Sequence, residues 1–148
     1  MTTAAEQRQA VIDEAKTWLR TPHHNGACIK GEKGGVDCGQ FPWAVYNACG
    51  LMPPIDGSLR YSPEFHLHRN VEWYKNLADK YGKPVASPQP GDFALYKIGR
   101  IYSHGAIVIK WPEIIHAFIK IGVTLDLGNQ GYLDTEKTKT LFYTLWDD

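Results

Sequence analysis

The chain has 148 residues, of which 43% are hydrophobic and 22% charged, and Lys plus Arg equals Asp plus Glu at 16 each. This length and composition predict one soluble globular domain over residues 1–148 with its own hydrophobic core. The balanced charge gives no broad basic surface, so nucleic acid is not an expected partner. No apolar stretch approaches the ~20 residues of a membrane-spanning helix. The first residues lack the basic and apolar regions of a signal peptide, so we expect synthesis in the cytoplasm without export by the ordinary route.

The three cysteines, Cys28, Cys38 and Cys49, are an odd number without a close pair. A disulfide framework is therefore not expected, and at least one thiol must be free. The chain contains no CxxC motif, and a metal site built from His23, His24, Cys28 and Cys38 would fit no standard ligand spacing. We therefore predict neither a metal nor another cofactor.

Two helices are predicted in the first third of the chain. Thr3 and Glu6 fit a capping box, and the apolar stripe behind them indicates a helix from about Thr3 to Leu19. The glycine-rich residues 23–35 have no periodicity and are expected to form a long irregular loop. A second helix is predicted from about Cys38 to Ala48.

A third helix is predicted to begin at Ser62-Pro63-Glu64 and to end at Gly82. His66 and His68 lie in it, and neither has a second ligand-type residue four positions on. We interpret both as surface or rim histidines.

Five short runs with β-type composition follow, at residues 93–98, 104–111, 113–119, 122–127 and 141–146. Their connections are too short for helical crossovers, which favours antiparallel pairing. The sequence therefore predicts an α+β domain in which N-terminal helices pack on a mainly antiparallel sheet of about five strands.

Gly34-Gly35-Val36-Asp37-Cys38 precedes the second helix and carries a candidate nucleophile. Asp37 is a natural N-cap residue, which would place Cys38 in the first turn of the helix. Helix amides pointing at the sulfur favour a thiolate over a thiol. We therefore expect an activated cysteine that needs a base.

His104 and His116 lie in consecutive predicted strands and could supply that base. A three-residue connection would place His116 opposite Ala106, on the same sheet face as His104. A two- or four-residue connection would separate the two rings unless a β-bulge intervenes. If the rings share a face, we expect Cys38 to pack against that face, with His104 sharing its proton and His116 orienting the base.

These residues carry a family resemblance. The matching segments are Thr21-Pro22-His23-His24, Val36-Asp37-Cys38-Gly39, Pro90-Gly91-Asp92, Ser103-His104-Gly105-Ala106-Ile107-Val108 and Ile115-His116-Ala117. Together they resemble the NlpC family of papain-like cysteine peptidases, which cut bacterial cell-wall peptides. The branch encoded beside phage and prophage tail genes is the most similar, and the resemblance extends from about Thr21 to Leu127.

The resemblance implies the papain-like NlpC fold, with Cys38 as nucleophile, His104 as general base and His116 as orienting residue. It implies that Cys38 attacks an amide bond after D-glutamate in a peptidoglycan stem peptide and forms an acyl-enzyme. His23, Asp37 and Ser103 are implied contacts of the substrate or oxyanion. The implied partners are the stem peptide and phage tail proteins, and the implied location is the virion or tail, acting on the cell wall.

The sequence departs from the family at His23, where a tyrosine is usual, and at Gly39-Gln40-Phe41-Pro42 after the cysteine. An inactive tail or wall-binding component with the same fold therefore stays an alternative, as does an amidase or acyltransferase. Alkylation by iodoacetamide at mildly acidic pH separates these hypotheses, because an activated Cys38 would react much faster than Cys28 and Cys49.

Overall fold

The computed structural model describes residues 2–54, 73–134 and 138–148. The helices in these ranges are Ala4–Thr17 (α1), Gln40–Ala48 (α2) and Trp73–Tyr81 (α3), with a short 3-10 helix at Gly131–Leu133. The strands are Cys28–Ile29 (β1), Gly35–Val36 (β2), Lys83–Val85 (β3), Phe93–Ile98 (β4), Ile101–Lys110 (β5), Glu113–Phe118 (β6), Gly122–Leu127 (β7) and Lys139–Thr144 (β8). The predicted start of the third helix, with His66 and His68, lies outside the described residues. No helix in the described ranges is both long and apolar enough to cross a membrane.

Helix α1 begins as predicted, with a complete capping box. The Glu6 amide donates to Thr3 Oγ1 at 3.1 Å, and the Thr3 amide donates to Glu6 Oε1 at 3.4 Å. The helix ends at Thr17, two residues before the predicted Leu19. Val11 and Ala15, from the predicted apolar stripe, are fully buried against the sheet side of the core.

The main sheet confirms the predicted α+β class and the antiparallel pairing. Its six described strands lie in the order β3-β8-β4-β5-β6-β7, and every neighbouring pair is antiparallel. The strand absent from the prediction is β3, which contains Pro84 and lies at a sheet edge, where a missing amide is tolerated. The segment predicted as irregular also differs, because β1 and β2 pair there as a two-stranded ribbon.

The two faces of the main sheet have different covers. One face supplies Phe93, Leu95, Ile107, Ile115 and Ala117 to the core shared with the helices. The opposite face supplies Ala94, Tyr96, Ala106, Val108 and Ile114, which pack with Leu133 from the 3-10 helix. Successive side chains along a strand point to opposite faces of the sheet. A residue that lies in sequence between two residues of the helix-covered face therefore points to the opposite face.

A β-bulge in the β5–β6 hairpin brings His104 and His116 to the same face of the sheet. The turn has two residues, Trp111-Pro112, because Lys110 pairs with Glu113. A bulge between Val108 and Lys110 then shifts the register, so that Ile107 pairs with Ile115. This shift gives His104 and His116 the same orientation, which a two-residue turn alone would have prevented.

A buried ion pair ties α1 to the start of β4 and to the last residue. Arg8 is 6% exposed and Asp92 is 1% exposed, and their side chains meet at 2.8 Å. The Arg8 guanidinium also donates to the Pro90 carbonyl at 2.9 Å and pairs with Asp148 at 2.7 Å. Burial is the largest single influence on the Arg8 pKa, and it lowers that pKa. The hydrogen bonds and charges of Asp148 and Asp92 together outweigh burial, so the Arg8 pKa is raised. The Pro90-Gly91-Asp92 segment therefore serves the fold through Arg8.

Candidate active site

Cys38 lies in a turn just before α2 rather than inside its first turn, because the helix begins at Gln40. Gly39, and not the predicted Asp37, occupies the N-cap position of α2. Asp37 nevertheless accepts hydrogen bonds from amides of the first turn. Its Oδ1 accepts from the Gln40 amide at 2.8 Å, and its backbone carbonyl accepts from the Phe41 amide at 3.1 Å. Through these two hydrogen bonds Asp37 fixes the backbone on both sides of Cys38.

The Asp37 side chain is fully buried and does not line the cleft described below. Besides the Gln40 amide, its oxygens accept from Gln40 Nε2 at 2.7 Å, the Gly26 amide at 3.0 Å and the Tyr74 hydroxyl at 3.2 Å. These contacts join the glycine-rich loop, the start of α2 and helix α3. Asp37 therefore lies beneath the predicted site as a structural anchor for the Cys38 turn.

Gly39 leaves room for Tyr74. A methyl group at position 39 would come within 1.8 Å of the Tyr74 ring, so the ring would have to move and its hydrogen bond to Asp37 would be lost. We expect Gly39→Ala to lower the free energy of unfolding by about 2–4 kcal/mol, as overpacking plus one lost buried hydrogen bond. Urea unfolding would measure the change.

A double-mutant cycle supplies the control for Gly39→Ala. In a Tyr74→Ala background the space is already empty, so adding Gly39→Ala should cost much less than it does alone. Equal costs in the two backgrounds would show that the contact with Tyr74 is not the reason for the glycine.

Pro42 and Gly105 set the distance between α2 and β5. Pro42 falls in the first turn of α2, where its missing amide leaves no helical hydrogen bond unmade. A methyl group on Gly105 would lie 3.0 Å from the Pro42 ring and 3.6 Å from the Cys38 carbonyl oxygen. This close approach places the Cys38 turn beside the strand that carries His104.

A cleft of about 400 Å³ opens where β4 ends, β5 begins and β6 ends. It is lined by His23, Asn25, Cys38, Ile98, Ser103, His104, Ala117, Phe118, Ile119 and Tyr132. Of the predicted site residues, His23, Cys38, Ser103 and His104 thus share one cleft, and His116 lies behind His104. The expectation that Cys38 packs on the histidine-bearing face is wrong, because both histidines point away from the helix-covered face. Cys38 instead meets them at the end of the sheet.

Cys38 makes its contact with Ser103 through the main chain. Its Sγ donates to the Ser103 carbonyl oxygen at 3.4 Å, whereas the Ser103 hydroxyl donates to the Ile98 carbonyl. The resting thiol therefore carries its proton toward the first residues of β5.

His104, His116 and Asp126 form a hydrogen-bonded chain behind the cysteine. His104 Nε2 and His116 Nδ1 are 2.8 Å apart, and His116 Nε2 and Asp126 Oδ2 are 2.9 Å apart. His116 is fully buried, whereas the Asp126 side chain is 46% exposed on β7. Asp126 pairs with Ile114, which makes it a diagonal neighbour of His116 on the same sheet face.

Sequence analysis missed Asp126 and Tyr132. Asp126 lies between Leu125 and Leu127 in a predicted strand, and only the β6–β7 register connects it with His116. Tyr132 comes from the 3-10 helix, and its ring packs edge-on against His104 with centroids 5.8 Å apart. Neither residue has a sequence signal that points to the site without the fold.

The electrostatics of Cys38 differ from the expectation of a resting thiolate. Although the residue is only half-buried, dense packing around the sulfur raises the pKa of the thiol to about 12, and the Asp37 charge adds to this shift. The backbone amides of Cys38 and Gly39 act in the opposite direction but are outweighed. The raised pKa favours the neutral thiol, which would need a base to act as a nucleophile.

The histidines are neutral at rest as well. Burial holds the pKa of His104 well below its usual 6.5, and the repulsion that protonated His116 and His23 would exert lowers it further. Burial also lowers the pKa of His116, although the hydrogen bond that His116 donates to Asp126 acts in the opposite direction, and burial lowers the pKa of His23. The pair at the cleft is thus a neutral thiol beside a neutral imidazole that can accept a proton.

These lowered pKa values predict acid sensitivity of the fold. Below pH 6.5 the unfolded chain binds protons at His104 and His116 that the folded chain does not bind. The free energy of unfolding should therefore fall as the pH drops, by up to about 1.4 kcal/mol per pH unit for each such histidine. Urea unfolding between pH 7.5 and 5.5 would measure the slope. His116→Gln should reduce the slope, because it removes one of the two histidines with a lowered pKa; a slope that this substitution leaves unchanged would contradict the assignment.

Residues 2–54, 73–134 and 138–148 contain no group of three or more His, Cys, Asp or Glu side chains placed to hold a metal ion. The site as described offers a thiol, a neutral base and amide donors. These groups suit acyl transfer.

The fold is similar to solved structures of NlpC/p60 proteins. The NlpC/p60 domain of the peptidoglycan hydrolase SagA gives a TM-score of 0.58 at 19% identity, over 90% of this chain and 96% of that one. A Staphylococcus aureus protein of the NLP/P60 family, described as similar to lipoprotein, gives 0.65 at 18% identity over 96% of this chain. A Bacillus cereus NlpC/P60 family protein gives 0.58 at 21% identity over 90% of this chain.

The chain spans only 42% and 39% of the length of the Staphylococcus and Bacillus proteins. No family model and no curated protein sequence matches it. At these identities the likeness concerns the fold, and it confirms the predicted α+β class and NlpC-type architecture.

Proposed function

We propose that this chain is a single-domain cysteine peptidase that hydrolyses an amide bond in peptidoglycan stem peptides. The observation that carries the proposal is the shared cleft of Cys38 and His104, with His104 hydrogen-bonded to His116 at 2.8 Å. A nucleophile, a base beside it and an orienting group behind the base are the parts that amide cleavage needs. Cys38 is the nucleophile, His104 the general base and His116 the orienting residue.

The reaction begins from the neutral pair. His104 removes the thiol proton as the Cys38 sulfur attacks the amide carbonyl, so no thiolate accumulates beforehand. The amides of Cys38 and Gly39, which point at the sulfur, donate to the tetrahedral oxygen. The protonated His104 gives its proton to the leaving nitrogen, which leaves a thioester on Cys38. Water, deprotonated by His104, then releases the acid and restores the thiol.

The proposed substrate class is supported by the structural neighbours, one of which is described as a peptidoglycan hydrolase. Within that class we propose cleavage after D-glutamate, with His23 and Ser103 contacting the substrate from the cleft wall. We further propose that the chain serves wall degradation in association with phage tail proteins, as the sequence resemblance implies.

Digestion of purified peptidoglycan, analysed by mass spectrometry, tests the function and the bond together. We expect new fragments that end in D-glutamate with a free carboxyl group. Fragments with other termini would retain the peptidase and reject the D-glutamate site. If no stem-peptide fragments are released, the peptidase function is rejected.

A second candidate function is that of an inactive component of the same fold, because the raised pKa of the Cys38 thiol is as compatible with such a protein as with the peptidase. An inactive wall-binding or tail component of the same fold would hold this cysteine as a buried neutral thiol. Such a protein would co-sediment with insoluble peptidoglycan without releasing fragments. Since either function starts from a neutral thiol, rapid alkylation of Cys38 at mildly acidic pH is no longer expected and does not discriminate between them.

A further inference from the structure

The hydrogen-bonded chain behind the cleft has a defined direction. Asp126 Oδ2 is 2.9 Å from His116 Nε2, and a carboxylate only accepts, so the hydrogen of His116 is on Nε2. Full burial of His116 lowers its pKa and favours the neutral ring, in which Nδ1 accepts. The hydrogen between the two rings therefore belongs to His104 Nε2, which lies 2.8 Å from His116 Nδ1.

The same chain decides which nitrogen of His104 can act as a base. With the hydrogen of this neutral ring on Nε2, the lone pair is on Nδ1. Because Nε2 is engaged with His116, Nδ1 is the nitrogen available to the cleft that Cys38 also lines. We infer that Asp126 is a positioning residue that, through His116, holds His104 in the tautomer whose Nδ1 accepts the Cys38 proton.

This inference rests on the proposed cysteine chemistry and adds a fourth residue to it. Asp126 is suited to the task because its second oxygen is also fixed. The Leu127 amide donates to Asp126 Oδ1 at 2.8 Å, so Oδ2 is the oxygen turned to His116. The carboxylate thus has one oriented acceptor for the ring.

Asp126→Asn should reverse the direction of the hydrogen bonds that link position 126, His116 and His104. If the amide oxygen keeps the Leu127 contact, the NH2 group faces His116 and donates to Nε2. The hydrogen of His116 must then move to Nδ1, and that of His104 to Nδ1 as well, which removes the lone pair from the cleft. We expect kcat to fall by about 10²–10⁴-fold, the range for a catalytic histidine held in the wrong tautomer.

Asp126→Ala should be less harmful than the isosteric asparagine. The position is 46% exposed, so water can accept from His116 Nε2 and preserve the productive tautomer. We expect a loss within about 10-fold, because water-mediated hydrogen bonds are nearly as favourable as direct ones. Asp13→Asn on α1 is the matched control and should leave kcat unchanged. If Asn is tolerated as well as or better than Ala, the positioning role is rejected.

Nitrogen-15 NMR of histidine-labelled protein tests the tautomers without any activity. In the wild type, His104 and His116 should both carry hydrogen on Nε2, and in Asp126→Asn both should carry it on Nδ1. Single His104→Gln and His116→Gln variants assign the signals. A wild-type His116 or His104 with hydrogen on Nδ1 would overturn the inference, even in an active enzyme. The expected tautomers in a protein that cleaves no peptidoglycan would reject only the proposed function.

Discussion

Cys38→Ala is expected to reduce the rate of stem-peptide cleavage by at least about 10³-fold, because removal of the nucleophile leaves only binding and oxyanion stabilisation. The fold should persist, since the hydrogen bond from the sulfur to the Ser103 carbonyl is weak and the turn is held by Asp37. The measurement is the release of soluble fragments from purified peptidoglycan, with urea unfolding as the check on folding.

Two further variants sharpen the test of the nucleophile. Cys49→Ala removes a half-buried thiol outside the cleft and should leave the rate unchanged. Cys38→Ser keeps the shape but offers a hydroxyl that a neutral imidazole activates poorly, so it should resemble Cys38→Ala. Persistent cleavage in Cys38→Ala would assign the activity to another group.

Arg8→Met is expected to lower the free energy of unfolding by about 3–5 kcal/mol, the cost of leaving a buried charge without its partner. Asp92, at 1% exposure, would lose the guanidinium and keep the Gln89 amide at 2.8 Å. Since small domains have about 5–15 kcal/mol of stability in total, a loss of this size is severe. The urea midpoint is the measured quantity.

Arg20→Met is the matched control for the loss of a charged arginine. The Arg20 side chain is 83% exposed and lies 3.7 Å from Glu32, an exposed pair of little energetic value. We expect a change within about 0.5 kcal/mol. If both variants unfold at the same urea concentration, the buried pair does not stabilise the fold as described.

Helix and strand boundaries were predicted well where short-range sequence patterns determine them. The capping box located the start of α1, and apolar runs located β4 and β7 at both ends, as Phe93–Ile98 and Gly122–Leu127. Strand β5 begins at Ile101, three residues before its predicted start, because the sequence around the β4–β5 turn gives no clear boundary. The last strand, predicted at 141–146, lies two residues earlier at Lys139–Thr144.

Features that depend on strand register or on contacts between residues far apart in the chain could not be predicted from the sequence. The bulge that brings His104 and His116 to one face could be stated as a condition but not predicted. Arg8, on an amphipathic helix, would ordinarily be solvent-exposed; its buried partners come from more than 80 residues away. The Cys38 pKa is governed by surrounding density, which a helix-dipole argument from the sequence does not include.

The contact between Pro42 and Gly105 makes two positions interdependent. A Cβ at position 105 would lie 3.0 Å from the Pro42 ring, so the ring would have to move by a few tenths of an ångström, and a smaller residue at position 42 would relieve this crowding. Natural variants of this chain should therefore change the two positions as a pair. Such covariation would show that the packing of α2 on β5 keeps the turn of the proposed nucleophile, Cys38, beside the proposed base, His104, while these two residues themselves stay the same.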